Sequence, residues 1–383
     1  MPSLWSLRGT YFAFFFANSS FFTYSGLYFA TLGFSGVQVG TLAAVGPLVA
    51  LGAQPFWGWL SDTRFGTLIS LRAVLIGAAA LAPLFLLAGS FWALFALTAA
   101  LFFFASSCTP LMDATALGAL GNRPDAYGRI RLFGSFGFTL GVLILGFALQ
   151  RLPLNTFFWW YAGAALVAAL TTLGVSAGGA GRSARTALRG RSPAGELLRD
   201  RRVLGLLAFI WLVQLSLGGG SAFLGIFARQ MGGDNLIVGL VAMIASFCCW
   251  PFFWFGETLL VRIGAPRLLL AGASCYVLRW VLTAQVHEPW QLILVQMLHG
   301  PAFVLTFASG VSLMNRWAPE GAKARAQSLY TATYGSLGNI AGGLIAGWLW
   351  DWGGATHLYL GMAVAAILAG GLWWPLLGRF GRP

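Results

Sequence analysis

Arg279 and His299 lie about ten residues on either side of the short His287-Glu288-Pro289 turn, each within a long apolar run. A helix rises about 1.5 Å per residue, so both are expected about 15 Å deep, halfway through a hydrocarbon core of about 30 Å. Asp113 and Arg131 repeat the geometry about the polar Gly121-Asn122-Arg123-Pro124-Asp125 turn, equidistant from position 122. An ionisable group at that depth costs about 2.5–3.5 kcal/mol, so by default it marks a binding or proton-carrying site. One carboxylate set against two guanidiniums leaves a positive charge unmatched, and His299 can add another. Burying an unmatched guanidinium is costly unless an anion neutralises it, and the arginine fork suits a carboxylate. Four such groups at one depth predict a central cavity for a small organic acid. Asn18, Gln214 and Asn339 fall at mid-span depth and serve either that cavity or interhelical hydrogen bonds. Tyr24, Trp250, Tyr330 and Tyr334 supply aromatic surface for a ring-bearing solute.

The elements that position these groups must be membrane helices. Of 383 residues, 58% are hydrophobic and 9% charged, against about 25% charged in soluble domains. Apolar runs long enough to span as helices recur near 8–31, 36–60, 68–89, 92–120, 127–150, 156–176, 202–228, 236–261, 266–285, 290–315, 325–350 and 355–377. No soluble domain fits between them, and the absence of long alternating segments argues against a barrel. With an even number of spans, every Lys and Arg except Arg151, Arg229 and Arg279 falls on one side or at its helix ends. That asymmetry predicts a multi-pass protein of the cytoplasmic (inner) membrane with both termini in the cytoplasm. The net charge of +13 is thus read as membrane orientation, with the basic 182–202 segment able to meet anionic lipid, rather than as nucleic-acid binding. The first run lacks a small-residue cleavage site and is read as a retained span. Cys108, Cys248, Cys249 and Cys275 sit in apolar runs and fit neither a disulfide framework nor a zinc site. No metal, no cofactor and no catalytic motif of the zinc, nucleophile-turn or phosphate-loop kind is expected.

The chain divides in two. Residues 177–201 form the one long polar stretch, rich in Gly, Ala, Ser and Arg, and read as a cytoplasmic linker between six-helix bundles at 1–176 and 202–383. Gly134-Ser135-Phe136-Gly137, Gly141 and Gly146 return 201 positions later as Gly335-Ser336-Leu337-Gly338, Gly342 and Gly347. Leu111-Met112-Asp113 matches Leu313-Met314-Asn315, and Arg64-Phe65-Gly66 matches Arg262-Ile263-Gly264. Three matches at nearly one offset indicate duplication. The glycines form small faces that let helices approach or slide. The expected fold is all-α: twelve transmembrane helices in two pseudo-symmetric six-helix bundles, with the substrate site near the midplane.

Gly58-Trp59-Leu60-Ser61-Asp62-Thr63-Arg64-Phe65-Gly66, between the second and third spans, resembles the Gly-x-x-x-Asp-x-x-Gly signature of the major facilitator superfamily. The resemblance implies a cytoplasmic gate in which Asp62, with Gly58, Arg64 and Gly66 around it, latches against Arg129 or the start of the eleventh helix. Tyr127-Gly128-Arg129-Ile130-Arg131-Leu132-Phe133-Gly134-Ser135-Phe136-Gly137, set eighteen residues from Asp113 to Arg131, is similar to the lactose permease and phenylpropionate permease type of proton symporter. So is the second-half series of Gly264, Arg279 and His299. This resemblance implies that Asp113 and Arg131 hold the solute, that Phe138 stacks on it, and that protons drive it. Departures from the sugar-transporting pattern are Ala302 and Ser246 in place of acids, Gln296 in place of a lysine, and Gly218 and Ser221 in place of aspartates. Gln296 is kept in the expected substrate-binding set, and Leu278-Arg279-Trp280 with Gln296-Met297-Leu298-His299 is nearer the phenylpropionate type.

The expected function is a secondary active transporter, acting as a monomer and moving a small, preferably aromatic, organic acid by alternating access. Asp113 and His299 are the candidate proton carriers, as the carboxyl and imidazole of the set. A sugar or nucleoside permease, a uniporter or exporter without proton coupling, and a non-transporting sensor or assembly factor are the alternatives.

Overall fold

The computed structural model describes residues 2–120, 127–175, 197, 199–319 and 322–380. Most of the linker expected at 177–201 and the turn at 121–126 lie outside the described residues. Ten helical segments among those described are long and apolar enough to cross a membrane. They are α2 (Gly36–Phe65), α3 (Thr67–Leu87), α4 (Phe91–Leu120), α5 (Tyr127–Ala148), α6 (Leu154–Gly174), α7 (Arg201–Gln230), α8 (Asn235–Ile263), α9 (Ala265–Ala284), α10 (Pro289–Trp317) and the 51-residue Arg325–Pro375. The last is two helices that double back on each other, α11 (325–352) and α12 (355–375), because Gly353 and Gly354 leave helical geometry, Gly354 at φ 68°, and a Cβ at Gly361 would lie 2.5 Å from Leu349. With α1 (Pro2–Thr31), 30 residues long and rich in Ser, Thr and Tyr, twelve long helices lie among the described residues of this all-α membrane protein. Six exposed tryptophans lie near helix ends, Trp5, Trp59 and Trp374 at ends that parity groups with the termini and Trp92, Trp290 and Trp352 at the opposite ends, while Trp211 and Trp254 are exposed mid-helix. Such girdles suit the two membrane–water interfaces.

The chain forms two compact units. One comprises Met1–Phe34, Val45–Arg189 and Asp234–Met243, the other Ser35–Ala44, Gly190–Gly233 and Ile244–Pro383. In the first, α5 packs on α1 through the glycines: a Cβ at Gly137 would lie 2.1 Å from the Phe12 carbonyl oxygen, and one at Gly141 2.2 Å from Ser19 Oγ. In the second, α11 packs on α7 in the same way. A Cβ at Gly338 would meet Gln214 Cβ at 2.5 Å, and one at Gly342 the Leu215 carbonyl oxygen at 2.3 Å. The repeated glycines therefore do the same work twice: they let two helix backbones touch. The loop repeat is equally literal. Gly66 and Gly264 both turn the chain at positive φ, 75° and 88°, a conformation that side chains other than glycine's rarely tolerate.

Two short segments belong to the unit they cross. The start of α2 lies against α11, where a Cβ at Gly40 would be 2.2 Å from the Gly343 carbonyl oxygen and one at Gly347 2.4 Å from that of Gly36. Asp351 then caps α2, its Oδ1 accepting from the Gly36 N–H at 2.5 Å and its Oδ2 from the Val37 N–H at 2.8 Å. The start of α8 lies against α5. Asn235 Nδ2 donates to the Leu149 carbonyl at 2.8 Å, Tyr24 donates to the Asn235 carbonyl at 3.0 Å, and Gln150 donates to Asp234 at 2.9 Å. Carboxylates thus meet the positive ends of both helices. Asp351→Ala is expected to cost about 0.5–2 kcal/mol, as loss of a side-chain cap does. A Tm in detergent below that of the parent checks it; an unchanged Tm leaves the cap without weight.

Candidate functional site

The first cluster lies within the first unit. Asp113 on α4 and Arg131 on α5 form a salt bridge of 3.0 Å, with Arg131 Nη1 also 3.3 Å from Oδ2. Tyr11 on α1, fully buried, donates a short hydrogen bond to Asp113 Oδ1. The Tyr127 hydroxyl accepts from Arg131 Nη1 at 3.5 Å, and the Phe15 ring lies 5.9 Å under the guanidinium. The side chains are 44% and 29% exposed for Arg131 and Asp113, so this pair is reachable from outside the packed core. Arg131 stands one turn, about 6 Å, inside the first described residue of α5. Phe138, seven residues on and therefore on the same face of α5, is half-buried about 10 Å further along. Asn18 is half-buried on α1.

The second cluster lies within the second unit and is closed. Arg279 on α9 is 1% exposed, and its Nη2 donates to Gln296 Oε1 on α10 at 2.6 Å. Its Nε and Nη1, together with Gln296 Nε2 and His299 Nδ1, are buried and make no hydrogen bond. The guanidinium lies 4.1 Å over the Trp280 ring, whose Nε1 donates to Ser216 Oγ at 2.7 Å. Equidistance from the turn pairs Arg279 with His299; the contact it makes is with Gln296. Arg279 stands five residues inside the end of α9 and Gln296 seven inside the start of α10, because the intervening loop residues add no helical rise. His299 remains within the field of the Arg279 charge. α10 tightens to a 3₁₀ turn at Gln296–Leu298, and Gly300 next to it admits the backbone of α8: a Cβ there would be 2.0 Å from the Cys248 carbonyl oxygen. Irregular turns inside helices recur at functional hinges. Trp250 on α8 is half-buried with its ring 5.2 Å from Phe247.

Other expected members have different work. Asn339 donates to the Tyr334 and Gly335 carbonyls at 3.3 and 3.1 Å, satisfying the widened turn at Thr333–Leu337. Its side-chain oxygen would sit 2.3 Å from a Cβ at Gly218, so Gly218 brings α7 and α11 together. In the loop signature, Asp62, Arg64 and Arg129 are exposed, Gly58 is half-buried, and the Gly66 N–H donates to the Ser61 carbonyl at 3.0 Å. Asp113–Arg131 is an ion pair, whereas Asp62, among the described residues, is in none.

Tyr11 and Tyr127 were missed in the sequence. Tyr127 had a signal, four residues before Arg131 on one helix face; Tyr11 had none, being one aromatic among many in α1. If protons drive transport, as the resemblance implies, Tyr11→Phe is expected to leave the fold intact and to lower accumulation several-fold, because Asp113 loses its buried donor. Accumulation in membrane vesicles at the parental level would remove Tyr11 from the site.

The family model described as "MFS_1 like family" matches residues 4–361. The chain is 28% identical to "Maltose permease" of Geobacillus stearothermophilus, covering 94% of this chain and 90% of that protein. It is 28% identical to "Probable 3-phenylpropionic acid transporter" of Escherichia coli (strain K12), covering 94% and 92%. Its fold matches the solved crystal structure of the nucleoside transporter NupG with a TM-score of 0.85 at 18% identity, over 100% of this chain and 100% of that one.

Proposed function

The chain belongs to the MFS_1 like family, and on that premise we propose that it carries a small organic acid across the cytoplasmic membrane by alternating access, driven by protons. It is a multi-pass membrane protein and a secondary transporter of a small molecule, not an enzyme. The observation that carries the organic-acid reading is Arg279. A fully buried guanidinium has one neutral partner, Gln296, and two nitrogens, Nε and Nη1, with no acceptor. A buried cation left so costs several kcal/mol, and a carboxylate accepting from the unpaired N–H groups offsets that cost. The relatives do not choose between substrates, since one is named for a neutral sugar and one for an acid.

In this reading Asp113, Arg131, Phe138, Arg279, His299, Gln296, Asn18, Trp250 and Asn339 form or support the substrate path, with Asp113 and His299 exchanging the proton. The positive-inside distribution supports cytoplasmic termini, and no second copy is required for the path. The two halves rock about the site. Asp62, Arg64 and Arg129 gate the cytoplasmic side.

A neutral polyol is the second reading, favoured by the Asp113–Arg131 pair. Its charges cancel, and its oxygens and N–H groups suit hydroxyls. Thermal stabilisation of the purified protein across a panel of organic acids, sugars and nucleosides separates the two. Carboxylates are expected to raise Tm; stabilisation by sugars alone would replace the first reading with the second.

A further inference from the structure

His299, Phe303 and Phe307 form an aromatic ladder along one stripe of α10. They are spaced i, i+4, i+8, and the rings are nearly parallel: His299 to Phe303 at 5.5 Å and 22°, Phe303 to Phe307 at 6.0 Å and 4°. The stripe is not the one that packs on α9. That stripe is Ala302, Thr306 and Ser309, all buried, with Thr306 against Gly272. The ladder residues are each half-buried.

The ring planes are fixed from two sides. Tyr334 on α11 stands edge-on to Phe303 at 6.2 Å and to Phe307 at 5.1 Å, and Phe253 on α8 stands edge-on to Phe303 at 6.3 Å. Tyr334 is held in turn by Tyr330, stacked at 5.8 Å, whose hydroxyl donates to the Phe307 carbonyl at 3.2 Å. Tyr334 lies in the widened turn at Thr333–Leu337, where α11 departs from regular geometry. Edge-to-face contacts of this kind orient a ring as well as bury it.

The ladder begins at the free arginine. Gln296, which holds Arg279, and Phe303 are i and i+7, hence on one face of α10 about 10 Å apart along the axis. A solute whose carboxylate meets Arg279 therefore places its remaining atoms over His299 and Phe303. Resting on the organic-acid reading above, we infer that His299, Phe303 and Phe307 are a stacking track that selects solutes bearing an aromatic ring. Phe303 and Phe307 are specificity residues, and the ring moves along them as the carboxylate leaves Arg279. Aromatic i, i+4 pairs also stabilise a helix, and the test separates the two roles.

Binding to the purified full-length protein is measured for four probes: phenylacetate, cyclohexylacetate, phenyl β-glucoside and cyclohexyl β-glucoside. Within each pair the head group and bulk are matched, and only the ring face differs. The parent protein is expected to prefer the phenyl member of a pair. Phe303→Leu and Phe307→Leu are each expected to weaken the phenyl member about tenfold, or about 1.4 kcal/mol, and to leave the cyclohexyl member unchanged. Phe303→Tyr, which keeps the ring, is expected to retain the preference. Equal binding of phenyl and cyclohexyl members by the parent overturns the track, and so does equal weakening of both in the leucine variants. The parent comparison decides even if a variant fails to fold. A phenyl preference among glucosides with neither carboxylate bound overturns the organic-acid reading and leaves the track standing. No binding of any probe overturns both.

Discussion

Arg279→Gln is expected to abolish high-affinity uptake of a carboxylate while leaving the protein as stable as the parent, or more stable. The two effects have one cause. The guanidinium is fully buried, with Gln296 Oε1 as its hydrogen-bond acceptor and Trp280 beneath it. In the empty state it carries a desolvation cost of several kcal/mol that a single neutral hydrogen bond does not repay. Glutamine removes the charge and keeps a polar end near Gln296, so unfolding gains nothing. In the occupied state the same charge supplies charge-assisted hydrogen bonds worth about 1.5–3 kcal/mol, or about 10- to 150-fold in affinity. Stability and function therefore move in opposite directions, as they do where a site holds strain for its ligand. The check is Tm in detergent beside uptake KM in vesicles. A variant that melts well below the parent and still takes up carboxylates at the parental KM would make Arg279 a packing element.

Asp113→Asn is expected to abolish accumulation against a gradient while sparing downhill exchange. Asparagine keeps the size of the side chain and can still accept from Tyr11 and Arg131, but it cannot carry a proton. The stability cost is small. The Asp113–Arg131 pair is 29% and 44% exposed, and pairs open to solvent contribute about 0–1 kcal/mol. Loss of coupling is all or none by comparison. The check is uptake driven by an imposed pH gradient, set beside counterflow with no gradient. Full gradient-driven accumulation by the variant would take Asp113 out of the proton path and leave His299.

The helices were legible in the sequence because a bilayer imposes length and apolarity on each span, and the spans expected at 325–350 and 355–377 match the two helices that Gly353 and Gly354 separate. The duplication was legible because close helix crossings demand glycine at fixed positions, and Gly137, Gly141, Gly338 and Gly342 all make such crossings. The charged pair of the first unit was legible for the same reason of cost: a carboxylate and a guanidinium in apolar runs must find each other. What spacing could not show was contact across helices distant in sequence. Tyr11 reaches Asp113 over 102 positions, and Asp351 caps α2 over 315. The partners of Asp351 are backbone N–H groups, which carry no sequence signature at all. Counting from the turn also does not single out the partner of Arg279, which is Gln296, 17 positions on. The ladder had a usable signal, since Phe303 and Phe307 follow His299 at helical spacing, but phenylalanine is too common here, at 32 residues, for that spacing to stand out.

Reconstituted vesicles with an imposed inward proton gradient, assayed for uptake of labelled phenylacetate, give the most direct test that this is an organic-acid transporter. Saturable uptake is expected, abolished by dissipating the gradient, competed by other carboxylates and lost in Arg279→Gln. Uptake indifferent to every carboxylate tested, in vesicles that take up a neutral sugar saturably, would contradict it.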